Sequence, residues 1–304
     1  MSSSYDFFAN FMAGGISGAI AKTCTAPIER VKILIQTQDA NPNIISGQVT
    51  RYKGIIDCFR RVSEEQGIKA FWRGNLTNII RYFPTQAFNF AFKDSIKGMF
   101  PKVDKKTQFG NFFAINLLSG GLAGAGSLLI VYPLDYARTR LASDVGSGQR
   151  QFKGLSDCLR KTVKSTGISG LYNGVGVSIV GIIPYRGAYF GIFDTLGSYN
   201  PYQKHENSLY RAASTFACAQ IAAITAGYVS YPFDTVRRRL QMQSEKPASD
   251  WNYKSSKDCF SKIIEEEGLP ALFKGAGANA LRTVGAALVL VFYSELTYLF
   301  SMRK

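Results

Sequence analysis

An acid and a base three residues apart, just after a proline, occur three times in this sequence: Pro27-Ile-Glu-Arg-Val-Lys32, Pro133-Leu-Asp-Tyr-Ala-Arg138 and Pro232-Phe-Asp-Thr-Val-Arg237. On a helix the two charges of each copy share a face. Three copies about a pseudo-threefold axis form a ring of alternating charge, in which each acid can meet the base of a neighbouring helix. A buried ion pair is close to neutral in net energy because desolvation offsets attraction. That balance suits a gate, which must close firmly and reopen. Three unconnected helix-end charge pairs are the plainer alternative, and recurrence beside three prolines argues against it.

A second set of residues breaks the repetition. Structural positions should recur in every copy; positions facing an asymmetric ligand should not. Seven residues after Gly74, Gly174 and Gly275 stand Arg81, Gly181 and Arg282, and five before the prolines stand Lys22, Leu128 and Gly227. Eleven after the same glycines come Thr85, Tyr185 and Ala286. One wall thus offers Gly181, Ile182, Tyr185 and Tyr189, flat and uncharged, and the others offer Lys22, Arg81 and Arg282, with Arg238 of the triple-arginine run counted beside them. A cation at mid-membrane depth costs about 2.5–3.5 kcal/mol, and no acid repeats beside these three, so an anionic ligand is favoured over arginines that merely snorkel to the surface. Arginine would grip phosphates as a planar fork and lysine as a point charge. The aromatic wall would stack a purine, with Gly181 letting the ring come close.

These residues need elements to hold them. Tyr52-Lys-Gly54, Phe152-Lys-Gly154 and Tyr253-Lys-Ser255 recur about 100 residues apart, each followed by Asp-Cys, and Trp72-Arg-Gly74 recurs as Tyr172-Asn-Gly174 and Phe273-Lys-Gly275. The chain is therefore a triplication, divided at 1–106, 107–205 and 206–304. Each unit has two apolar stretches around a polar middle: 7–36 and 75–99, 112–141 and 175–199, 211–240 and 276–300. All exceed the ~20 residues that span a bilayer core. The prolines should kink the first stretch of each unit, and Gly14/Gly18, Gly120/Gly124 and Ala219/Ala223/Gly227 have the small-xxx-small spacing of close helix contacts. The polar middles read as amphipathic helices lying on the membrane surface. The expected fold is an all-α membrane protein: six transmembrane helices in three homologous pairs, with short surface helices.

The triplicate motif and the Gly…aromatic-Arg/Lys/Asn-Gly stretches resemble the mitochondrial carrier family over essentially the whole chain. Lys22–Lys32, Arg81–Asp94, Tyr132-Pro-Leu-Asp135 and Tyr231–Arg239 look like its ADP/ATP carriers. The resemblance implies pairs Glu29–Arg138, Asp135–Arg237 and Asp234–Lys32 closing the matrix side, a glutamine brace at Gln36, and exchange of ADP for ATP across the mitochondrial inner membrane by alternating access. It implies both termini toward the intermembrane space and bound cardiolipin near the surface helices, where Gly54, Gly74, Gly154, Gly174 and Gly275 could present backbone N–H groups. Where such carriers read RRRMMM, this chain reads Arg237-Arg-Arg-Leu-Gln-Met242. Gln241 stands nine residues after Pro232, as Gln36 does after Pro27, and reads as a second brace. A carrier of another adenine nucleotide or polyanion, or an accessory subunit of an inner-membrane assembly, are the alternatives.

Family members also carry a second ring at the cytoplasmic ends of the second helices, an acid followed three residues on by a base. Here Asp94, Asp194 and Glu295 keep the acids, but the bases read Lys97, Gly197 and Tyr298, and a register one residue earlier in the third unit gives the uncharged Ser294 and Thr297. A ring with one base closes poorly, so the empty protein should rest closed at the proline motifs. The formal charge of +15 alone would suggest a nucleic-acid binder, but the Arg237–Arg239 run ends a membrane stretch. An enzyme is disfavoured: the one histidine, His205, lies in a polar loop, and no nucleophile–base pair or metal cluster is apparent. No cofactor is expected. The five cysteines form no CxxC pair and read as reduced thiols. The start, MSSSYDFFANFMAGG, has neither a secretory nor an Arg-rich transit pattern, so targeting information is expected elsewhere in the chain.

Overall fold

A computed structural model of the chain describes residues 2–101, 108–145, 150–203, 206–244 and 246–301, and their side chains apart from those of 2–14, 90, 93, 94, 97, 109, 113, 248 and 290–301. Each unit has a long leading helix: α1 (Ser2–Thr37), followed by the single turn α2 (Pro42–Ile45), then later α5 (Phe109–Ala142) and α8 (Ser208–Gln243). Surface helices follow as α3 (Ile55–Gln66), α6 (Leu155–Leu171) and α9 (Ser256–Glu267). The trailing helices are α4 (Asn75–Gly98), α7 (Val175–Tyr199) and α10 (Ala276–Ser301). Among the described residues these are the six long helices the sequence predicts, and the structure contains no strand there. On length and apolarity alone α5, α7 and α8 qualify as membrane spans. In α1 and α4 the apolar character is diluted by charges that face the interior, such as Lys22, Glu29 and Arg81.

The leading helices run unbroken through Pro27, Pro133 and Pro232. Pro27 leaves the Thr23 carbonyl without its helical donor, and the Trp72 indole N–H supplies one at 2.9 Å. The repeated Asp-Cys pairs also have a physical account. Asp57, Asp157 and Asp258 each accept from the backbone N–H four residues earlier, at 2.8, 2.9 and 2.8 Å, fixing the start of the surface helix. The Lys153 amide, with Lys161, holds the Asp157 carboxyl below the usual carboxylate range, and the Lys254 amide does the same for Asp258. The cysteines beside them, Cys58, Cys158 and Cys259, are fully buried in the small cores between surface helix and leading helix.

The units close into a ring because each trailing helix packs on the next leading helix: α4 on α5, α7 on α8, and α10 back on α1. One contact recurs at all three junctions. Gly74, Gly174 and Gly275 have φ of +81°, +85° and +86°, and a Cβ on each would lie 3.1, 3.1 and 3.0 Å from the carbonyl oxygens of Arg138, Arg237 and Lys32. Glycine is required there for both conformation and space.

The small-residue spacings pack differently from expectation. In α8 the fully buried row is Ala222 and Ala226; Ala219, Ala223 and Gly227 are half-buried and Gly227 borders a cavity. The gap left by Gly120 and Gly124 is filled by the Arg186 guanidinium and Ile182 of α7 rather than by backbone. Gly18 makes room for the Tyr82 ring of α4, and the surroundings of Gly14 lie outside the described side chains.

Candidate functional site

At the ends of the leading helices that follow the prolines, the motif charges meet across units. Arg138 pairs with Glu29 and Arg237 with Asp135, and Lys32 Nζ lies 2.8 Å from Asp234 Oδ2. Gln36 Nε2 donates to Asp234 (3.3 Å) and Thr235 Oγ1 (3.0 Å), and Gln241 Nε2 to Asp135 (3.3 Å) and Tyr132 OH (3.2 Å). Both glutamines therefore sit on the acids of the pairs they are expected to brace. The Glu29–Arg138 pair has Ala142 at the glutamine position, and its acid accepts instead from Asn78 Nδ2 at 3.0 Å. Lys32 and Arg237 also lie over the rings of Tyr231 and Tyr132, 5.1 and 5.7 Å from the centroids.

A further layer closes beneath these pairs. Arg30, Arg140 and Arg239 are among the largest fully buried side chains. Arg30 caps the end of α5 by donating to the Ala142 and Asp144 carbonyls (3.3 and 2.8 Å), and Arg140 caps α8 at the Met242 carbonyl (3.1 Å). Arg239 instead joins a charge cluster with Glu267 (2.8 Å) and Asp39 (3.1 Å), completed by Lys274 at 2.6 Å from Asp39. The sequence reading missed this cluster and the three buried arginines.

Above the ion pairs lies a cavity of about 800 Å³. All of Lys22, Arg81, Gly181, Ile182, Tyr185, Tyr189, Arg238 and Arg282 line it, with the gate residues Glu29, Asp135, Arg138, Asp234 and Arg237 as its floor. Lys22 Nζ sits 4.9 Å over the Tyr82 ring. Arg282 is held by Asn279 Oδ1 (3.3 and 3.4 Å) and Arg81 by Asn78 Oδ1 (3.4 Å), four residues beyond the repeat glycines in each case. Across from them Tyr185 and Tyr189 stack at 6.4 Å, and Tyr189 and Phe193 at 6.0 Å, an aromatic ladder along α7.

Four expectations change in detail. Arg81 has an acid close by, Asp135 at 3.8 Å. Arg238 is buried in the floor, donating to Thr139 Oγ1 and lying 3.6 Å from Asp234, rather than standing free on the wall. The space beside Gly181 is taken by Phe233, whose Cβ would be 2.9 Å from an added Cβ, so helix packing accounts for that glycine. The aromatic wall is also not wholly uncharged, since Arg186 lines the cavity next to Tyr185. Of the second ring, Asp194 is half-buried near the end of α7, while the side chains of Asp94, Lys97 and Glu295 lie outside the described residues, as does His205.

The threefold repetition seen in this ring is also what comparison with known proteins finds. The family model described as "Mitochondrial carrier protein" matches three times, at residues 3–104, 110–203 and 209–304. The chain belongs to the mitochondrial carrier family. An "ADP,ATP carrier protein" of Parachlorella kessleri is 59% identical over 95% of this chain and 84% of its own length. "ADP/ATP translocase 3" of Bos taurus and of Homo sapiens are each 55% identical over 95% of this chain and 96% of theirs. In this carrier, Asn78, Asn279 and Arg186 are site residues that the sequence reading passed over. A signal was available for the first two: counting four rather than seven from the repeat glycines gives Asn78, Ser178 and Asn279. The amide recurs only where the arginine does.

Proposed function

We propose that this carrier exchanges ADP and ATP across the mitochondrial inner membrane by alternating access about the central cavity. The observation that carries the reading is the division of one cavity into a cationic side, Lys22, Arg81 and Arg282, and an aromatic side built on Tyr185 and Tyr189. A nucleotide polyphosphate matches both at once: charge-assisted hydrogen bonds for the phosphates and a flat surface for the base. Its relatives' names point the same way. The paired floor is then the matrix gate, and both termini face the intermembrane space. Asp94, Asp194 and Glu295, short of bases at Gly197 and Tyr298, leave the opposite gate weak, which favours a matrix-closed empty state. Cardiolipin head groups would bind where the surface helices begin, and association with other inner-membrane complexes fits the same placement.

Purified protein in liposomes loaded with ADP should take up labelled ATP and ADP only when a counter-nucleotide is inside. Uptake of a different nucleotide or a bare polyanion in preference to both would make it a carrier for that anion. Absence of exchange, with comigration in a larger complex in mild detergent, would leave an accessory role.

A further inference from the structure

One buried side chain behind the cavity wall joins a cavity residue to a floor residue and belongs to neither set of expectations. Asn78 is 1% exposed. Its carboxamide oxygen accepts from Arg81 NH2 (3.4 Å), and its nitrogen donates to Glu29 Oε2 (3.0 Å). The other nitrogen of Arg81, NH1, lies 3.8 Å from Asp135 Oδ1. Arg81 is thus tied to two of the three gate acids, to Asp135 directly and to Glu29 through Asn78. The relay ends on the one gate pair that has no glutamine, since Ala142 stands where Gln36 and Gln241 stand in the other units. Asn279, the counterpart in the third unit, accepts from Arg282 in the same way. Its nitrogen, however, lies beside Gly227, 3.3 Å from where a Cβ would be, and no hydrogen bond from it to a gate acid occurs among the described residues.

We propose that Asn78 is a positioning residue that makes opening of the Glu29–Arg138 pair depend on an anion at Arg81. This rests on the reading of the cavity as a nucleotide site. An anionic phosphate draws the Arg81 guanidinium out of the floor, because its oxygens can make short, bidentate charge-assisted hydrogen bonds where the floor offers only a neutral amide oxygen at 3.4 Å and a carboxylate at 3.8 Å, too far for a hydrogen bond. Asn78 then loses the acceptor contact that fixes its rotamer, and Glu29 loses its second hydrogen bond. Asp135 loses a cation at the same moment. Two of the three pairs weaken on one binding event, while the amide, being neutral, adds no charge that would trap the anion.

The test uses the full carrier in vesicles, with Leu128→Cys as a cavity reporter in an otherwise cysteine-free background, labelled from the gated side with and without ADP. In the parent, ADP should raise the labelling rate several-fold. Asn78→Ala and the near-isosteric Asn78→Asp should label faster without ADP and lose most of the ADP response. Gln36→Ala, which loosens a pair that Arg81 does not touch, should also label faster without ADP but keep its ADP-to-empty ratio. Retention of the parental ratio in both Asn78 variants overturns the proposal. Loss of the ratio in Gln36→Ala as well also overturns it, because the response would then follow gate strength alone. Parental protein that fails to bind ADP by direct titration would instead sink the nucleotide reading.

Discussion

In the floor, a left-handed glycine just before each trailing helix rests on a carbonyl of the next unit, and an acid of each leading helix meets a base of its neighbour. In the walls above, equivalent positions hold Arg81, Gly181 and Arg282, or Lys22, Leu128 and Gly227. The two regions are built on the same six helices and separated by about two turns. Each region answers a different demand. Closing a ring asks the same of every unit, so the chemistry repeats. Holding one asymmetric molecule asks something different of each, so it does not.

Substitutions in each region test that contrast. The largest effect belongs to the walls. Arg282→Ala removes a fork that can make two charge-assisted hydrogen bonds, each about 1.5–3 kcal/mol, so exchange should fall at least ~100-fold. The empty protein should unfold at a higher temperature than the parent, because a cation has been removed from a poorly solvated site. Near-parental exchange in liposomes would detach Arg282 from the ligand. Next comes the floor. Gly174→Ala and Gly275→Ala each force a side chain into left-handed backbone about 3 Å from a carbonyl, costing about 1–3 kcal/mol. The two losses of thermal stability should be alike; a large difference would show that the junctions are not equivalent. The smallest effect is expected at Tyr185→Ala. Losing a stacking face worth about 0.5–1.5 kcal/mol should lower the ADP-to-tripolyphosphate selectivity roughly 2- to 10-fold while uptake persists. Unchanged competition by tripolyphosphate would place the base elsewhere.

The contrast also explains what could be read from the sequence. Helix limits came within a few residues, as for 175–199 against Val175–Tyr199, because hydrophobic runs and their terminators are local. The specific gate pairs and the brace at Gln36 came from the family resemblance, while the alternating charge ring and the position of Gln241 were legible from comparing three copies. Contacts between non-equivalent positions were not. Asp39 meets Lys274 across 235 residues, and Arg186 occupies the space of Gly120 on another helix. Repetition compares like with like and says nothing of such pairs. The packing of Gly181 was missed for the same reason, since Phe233, which lies against it, is in a different unit.

The Asp39–Lys274–Arg239–Glu267 cluster has a bearing on how the molecule is made. Two junctions of the ring are bridged by the polypeptide itself, whereas the third, where α10 meets α1, has no peptide link and must be found by residues far apart in the chain. Closing so long a loop carries the largest entropic cost of the three, and contacts of such sequence separation form late in folding. The buried acids and bases stand at that seam, where Asp39 is 4% exposed on its side chain and Arg239 fully enclosed. They fix the register of the last two surfaces to meet: a unit that docked a turn out of place would leave Asp39 and Arg239 buried without partners, which is far costlier than a misplaced apolar contact.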